Sequence, residues 1–334
     1  MDIPIDVKAV IDAACDIESA RSIPLSVSVF IDDTAPADLV AHVRSVFASA
    51  SANARVTIGY VDGKELQVPT PCDMAVLVAG VNEHIGEYAA KLRSLSVPAM
   101  VATTMPQLIA DMAQVNGVSI PEGDIVSPVR VRSGIVEAVL QKKNQLVGAG
   151  GQEPIALDEA HTALLDERMG EWIVEVCSEK RLAFALAFPF VRRPLSVEAV
   201  RATSAQNAGV GLVVFLPGAD MPIMTLNQAK MLLQIAAAYG QPLDKRRIKE
   251  LAAVVGGAFA CRGAARQLVG VVPGLGWAVK AAIGYSGTYA MGHAAIEYFE
   301  GGGNVSGVAN VVSQARKAAV SAAGVAKNAV KVKS

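Results

Sequence analysis

The sequence predicts an α/β domain, built on a doubly wound and mostly parallel sheet, followed by an apolar all-α helical domain. Three observations predict it. Runs such as Ser26–Ile31 and Met74–Gly80 carry no charge, as strands buried on both faces of a parallel sheet do. Helix-length segments separate these runs, which implies right-handed crossovers. Past Val147-Gly148-Ala149-Gly150-Gly151-Gln152, a linker by composition, no strand pattern recurs.

Taken in order, Ser26–Ile31 reads as the first strand, and a helix is expected over 36–49 with Pro36 in its first turn. Arg55–Val61 reads as a second strand ending at the turn signal Asp62-Gly63. Met74–Gly80 is a third strand. Helix 83–95, strand 97–103, helix 106–115, a short strand 124–127 and helix 132–146 complete the first domain, residues 1–148. After a linker at 149–157, helices are expected at 158–178, 180–191, 197–215, 226–239, 245–263, 264–272 and 277–299. A basic Ala/Val-rich tail fills 301–334.

Local signals mark several helix ends. Thr225-Leu226-Asn227-Gln228 fits a capping box with Thr225 as N-cap. Gly240, with Pro242 beyond it, is the expected left-handed stop. Ser196 and Asp244 are candidate N-caps. Asp220, between Ala219 and Met221, is expected to fix a turn. Helix 226–239 keeps only a narrow polar stripe of Asn227, Lys230 and Gln234, so most of its circumference must be buried in protein or lipid.

The chain has 334 residues, enough for two cores. Apolar residues make up 52%, charged residues 18% and aromatics 5%, with mean hydropathy +0.38. Such a composition favours close backbone packing over ring stacking. A net charge of −1 conceals −9 over residues 1–160 and +8 over 161–334. That asymmetry fits either a basic half that meets an anionic surface or two halves that attract each other. Cys15, Cys72, Cys177 and Cys261 lie far apart without a C-x-x-C pair, which suggests a reducing compartment. The opening Met1-Asp2-Ile3-Pro4-Ile5-Asp6 lacks the basic and apolar regions of a secretory signal.

Catalytic constellations are missing. A phosphate-binding loop needs glycines, a Lys on the phosphates and a Ser/Thr on Mg²⁺. Here the first strand runs into Asp32-Asp33-Thr34-Ala35-Pro36, where two carboxylates repel phosphate and a proline removes a donor. Gly274 and Gly276 follow a proline rather than a strand, which weakens a dinucleotide reading. His42, His84, His161 and His293 show no zinc spacing. His293 with Glu297 reads as an exposed helix pair rather than two metal ligands. No Ser or Cys stands in a nucleophile context. No cofactor or metal is expected.

The strand Asp73–Ala79, the helix after it and Val97–Ala102 resemble the late strands of a small GTPase domain. Thr103-Thr104-Met105-Pro106 stands where such a domain would read guanine. The resemblance implies a GTPase-like domain that has lost its nucleotide loops. A second set comprises Pro217–Pro222, Lys230-Met231, Ile235–Gly240, Glu250-Leu251, Arg266, Pro273–Trp277, Thr288–Gly292 and Tyr298-Phe299. It resembles the bacterial family called domain of unknown function 697, in a form like those of actinobacteria. Members of that family are fused to GTPase domains or encoded near them, and some look like inner-membrane proteins. The likeness covers about 165–300 and brings no catalytic residues.

Membrane contact is expected from the apolar segments 202–219, 251–261 and 267–296, although glycines and Pro217 or Pro273 interrupt the longer two. Gly270-x-x-x-Gly274 and Gly284-x-x-x-Thr288-x-x-x-Gly292 permit close helix contact, in lipid or in a bundle. Basic residues beside these segments fit contact with anionic lipid. The candidate membrane or partner contacts are Lys245, Arg246, Arg247, Arg262, Arg266, Trp277 and Lys280. The tail, with Arg316, Lys317, Lys327, Lys331 and Lys333, lacks the interleaved aromatics that nucleic acid binding uses.

The expected function is a non-enzymatic accessory or scaffold protein, with a nucleotide-free GTPase-like domain, docked at the cytoplasmic face of the membrane. Its expected partners are anionic membrane lipid, a GTPase or other protein, and further copies of itself. A soluble oligomerising interaction module in the cytoplasm is the alternative, and a residual nucleotide-binding switch is the third reading.

Overall fold

The computed structural model describes residues 7–49, 51–61, 66–129, 154–213, 220–244 and 276–301. These form two compact units. One is Ser22–Pro194, and the other combines Met1–Arg21 with Leu195–Ser334.

The first unit is the α/β domain. Its five strands are β1 (Leu25–Asp32), β2 (Ala54–Val61), β3 (Met74–Val78), β4 (Ala99–Ala102) and β5 (Ile125–Val126). All pair in parallel, in the order β2-β1-β3-β4-β5. This is the flavodoxin-like doubly wound order, whose direction of winding reverses between β1 and β3. Val29 fixes the register at the centre, opposite Ile58 on one side and Val76 on the other. Every residue of β1, β3 and β4 is buried. A fully buried Val or Leu there contributes about 1.5–3 kcal/mol relative to an exposed one.

Helices cover both faces, as charge-free strands require. α2 (Ala37–Val46) follows β1, while α3 (Ile85–Ser94) and α4 (Pro106–Val115) follow β3 and β4. The β1–β2 and β3–β4 crossovers run in opposite directions, so right-handed connection sets α2 opposite α3 and α4. The α3/α4 face holds Phe30, Leu77, Val101, Leu92 and Ile109 in one core. α5 (Glu159–Val176) packs on β4 and β5, and Asp166 on it meets His42 of α2 at 2.6 Å. α6 (Arg181–Ala187) and a short 3₁₀ turn, Pro189–Val191, bring Phe188 and Phe190 against Phe47. The expected division at 148–158 therefore falls inside one unit, because α5 completes the α/β layer rather than opening the helical domain.

The second unit is helical. α1 (Val7–Arg21), which the sequence reading did not anticipate, packs with α7 (Arg192–Val213), α8 (Asp220–Ala238) and α9 (Gly276–Glu300). Val10, Ala14, Val200, Leu232, Ile235, Met291 and Phe299 share its core. Small residues set the helix spacing. A Cβ on Gly284 would lie 2.9 Å from the Asn207 carbonyl, and one on Gly292 would overlap Val200.

Two expected caps are corrected. α7 starts at Arg192, so Ser196 lies inside the helix and is buried. α8 starts at Asp220, one turn before Thr225. The expected capping-box residues Thr225 and Gln228 are interior and fully buried. Asp220 lies in this helix rather than in a turn. Gly240 does stop α8: its φ is +70°, its N–H donates to Ala237 and that of Gln241 to Ala236, the Schellman pattern. The expected helices 132–146, 245–263 and 264–272, the turn Asp62-Gly63 and the tail lie outside the described residues.

Candidate functional site

In open parallel sheets ligands enter at the carboxyl ends of the strands, where the winding reverses. Here that point is the gap between the ends of β1 and β3. β1 delivers Asp32 to it, 2% exposed. One carboxylate oxygen, Oδ2, accepts from the Gly80 N–H at 2.9 Å and the Thr34 hydroxyl at 2.8 Å. The other, Oδ1, accepts from the Thr34 N–H at 3.1 Å and the Asn82 amide at 3.2 Å. Four donors are thus spent on one fixed negative charge. Gly80 lets the β1–α2 loop lie directly on β3, since a Cβ there would overlap the Thr34 carbonyl.

The neighbouring strand ends are occupied as well. The Thr103 hydroxyl accepts from the Met105 N–H, and the Thr104 carbonyl accepts from Ile155 at 3.1 Å. At β5, Arg168 of α5 donates to the carbonyls of Ser127 and Val129. The N–H groups of Thr34, Gly80 and Met105, which could otherwise meet an anion, are therefore paired within the domain. The sequence anticipated an acidic turn at Asp32-Asp33. It did not show that Asp32 is buried while Asp33 stays exposed.

An open groove of about 840 Å³ lies beside this closed edge, between α2 and β2. Ile31, Ala35, Ala37, Val40 and Ala41 form its apolar lining, with Tyr60, Arg44, Asp32 and Asp33 around them. Tyr60 and Arg44 had no role in the sequence reading. An edge position becomes visible only once the strand order is known.

A smaller hollow of about 240 Å³ lies between Asp73, Pro98, Cys177, Lys180 and Phe184. Lys180 reaches Asp73 at 2.7 Å, and Asp73 also accepts the Ser26 N–H. Burial, helped by the Asp73 charge, pushes the Cys177 thiol up to about 12, so the group is a poor nucleophile.

The helical unit encloses a polar cluster in an apolar setting. The Asn207 side-chain amide donates to the Thr288 hydroxyl at 2.9 Å, Gln228 donates to the same oxygen at 2.8 Å, and Asn227 donates to the side-chain oxygen Oδ1 of Asn207 at 3.0 Å. The Thr288 hydroxyl itself donates to the Gly284 carbonyl. Also on α9, Tyr285 and Tyr289 stack at 5.9 Å, and the His293 ring lies 4.3 Å from Tyr289.

Of the predicted contact residues, Lys245, Arg246, Arg247, Arg262 and Arg266 lie outside the described residues. Trp277 and Lys280 fall in the first two turns of α9. Among the described residues no cluster of His, Cys, Asp and Glu could hold a metal ion, and no helix is long and apolar enough to cross a membrane.

No protein-family model, curated protein or solved structure matches the chain.

Proposed function

We propose that the protein is a non-enzymatic accessory or scaffold protein, with a nucleotide-free GTPase-like α/β domain and a helical unit that docks at the cytoplasmic face of the membrane. The environment of Asp32 carries the first part. A buried carboxylate with four donors stands where a nucleotide's phosphates would approach, and it repels them while consuming the nearby N–H groups. Calorimetry with GTP, GDP and ATP plus Mg²⁺ tests this. Binding no tighter than about 1 mM, near −4 kcal/mol, is expected. A micromolar dissociation constant would overturn the reading and restore the residual nucleotide switch.

Docking rests on the basic residues beside the apolar segments and on the resemblance to domain of unknown function 697. A soluble oligomerising module is the second reading, favoured by the Asn207–Gln228–Thr288 cluster, which sets polar groups within the apolar bundle interior. Cell fractionation separates the two. Docking predicts a pelleted protein released by high salt if it binds the surface, or retained in carbonate if it inserts. A supernatant protein would support the soluble module.

A further inference from the structure

We propose that the groove between α2 and β2 binds an extended peptide segment of a partner protein, added to the sheet edge as a sixth strand. The inference rests on the part of the proposed function that makes the α/β domain a non-enzymatic binding module, and it does not depend on membrane docking.

β2 is an outer strand of the sheet and is eight residues long. Among the described residues no strand pairs with its outer edge, which offers backbone donors and acceptors to an incoming strand. Protective devices are sparse: the strand holds no proline and no lysine, and Arg55 is its one charge. Two large apolar side chains on it stand in solvent, Ile58 at 42% and Tyr60 at 65% exposure. They share a face, because strand side chains alternate. Gly59 belongs to the opposite face, where an added Cβ would meet Phe30 at 3.5 Å. Tyr60 pairs with Ile31, and both line the groove.

An edge strand beside a helix, with an apolar trough between them, accommodates a peptide in two ways at once. Main-chain hydrogen bonds to the strand hold its backbone, and alternate side chains enter the trough. The lining of Ile31, Ala35, Ala37, Val40 and Ala41 leaves room for such side chains. Charge selects the sequence. Arg44 and Asp33 are both exposed at the groove, while Asp32 is already committed to four donors. The matching occupant has aliphatic residues at alternate positions, a carboxylate facing Arg44 and a cationic residue facing Asp33.

The test uses the full chain and an acetylated, amidated octapeptide of alternating valine and threonine, ending in one glutamate and one lysine. A control peptide has proline in place of one threonine and the adjacent valine, so that a ladder donor is lost whichever set of N–H groups faces β2. Calorimetry should give a submillimolar dissociation constant for the first peptide and at least about tenfold weaker binding for the control. Amide shifts should be confined to β2 and α2. Arg44→Glu and Tyr60→Asp should each weaken binding about tenfold without moving the melting temperature, since both side chains are exposed. Equal binding of the two peptides, no binding at 1 mM, or indifference to both substitutions would overturn the proposal. So would a concentration-dependent dimer abolished by Tyr60→Asp, which would assign the edge to a second copy. Nucleotide calorimetry is read separately, so failure of the peptide leaves the nucleotide-free reading standing.

Discussion

Asp32 shows how much one residue can decide. Its charge is held by four donors, and removing it would leave the buried Gly80 N–H without a partner. Hydrogen bonds to charged groups contribute about 1.5–3 kcal/mol each, not additively. Asp32→Ala is therefore expected to destabilise the α/β unit by about 3 kcal/mol in urea unfolding, and Asp32→Asn by less. Gly80→Ala tests the same contact from the other side, because its methyl group meets backbone rather than a movable side chain. It should cost about 3 kcal/mol. A loss below about 1 kcal/mol in either variant would mean that the loop does not depend on this contact. Cysteine chemistry gives a separate check. Cys15 is exposed, whereas Cys177 is buried with its thiol pushed up to about 12. At pH 8 a disulfide reagent should label Cys15 quickly and reach Cys177 only after unfolding. Rapid labelling of Cys177 would show that its pocket opens in the native state.

The helix ends separate what could be read from residues alone from what needed packing. Gly240 was legible, because a left-handed stop has one strong residue preference and Pro242 reinforces it. Gly240→Ala should cost about 1 kcal/mol, measured by thermal unfolding of the helical unit. Thr225 and Ser196 were misread, because a short polar side chain before an apolar run looks the same whether it caps a helix or sits inside one. Tertiary contacts, here the burial of Thr225, Gln228 and Ser196, decide between the two. α1 was missed although Val10, Ala14 and Ile17 recur at helical spacing. α5 carries an N-cap, Asp158, that was not singled out from the sequence. Asp158 accepts the His161 N–H at 2.8 Å, and that bond holds its carboxyl below the ordinary 3.8. A carboxyl lowered on folding stabilises above its unfolded value, so this contribution fades as pH falls through the folded one. Exchange protection in the first turn of α5 should decline there, and Asp158→Ala should remove that pH dependence. The parallel sheet was legible because charge-free strands have few alternatives. The groove was not, since Tyr60 and Arg44 come to line one groove only through the strand order.

At the scale of the whole molecule, the charge asymmetry makes its own prediction. If the basic residues near the apolar segments face anionic lipid, each contributes roughly 1 kcal/mol near the surface, less in salt. Replacing Arg246, Arg247 and Arg266 with Gln should weaken binding to phosphatidylserine vesicles by about 2–3 kcal/mol, at unchanged melting temperature. Unaltered vesicle binding would make them a solvated face. A large fall in melting temperature would mean that they pair with acidic residues of the chain instead. The helical unit is also discontinuous in sequence, since α1 shares a core with residues beyond Leu195. During synthesis α1 leaves the ribosome first, and the chain must grow from Arg21 to Ala238 before α8 is complete. At 5–20 residues per second that interval is roughly 10–40 s. The α/β unit is made wholly within it and can fold before the helical core closes. For that time Val10, Ala14 and Ile17 face water, so a nascent chain stalled between the two units should be the form of this protein most dependent on chaperones.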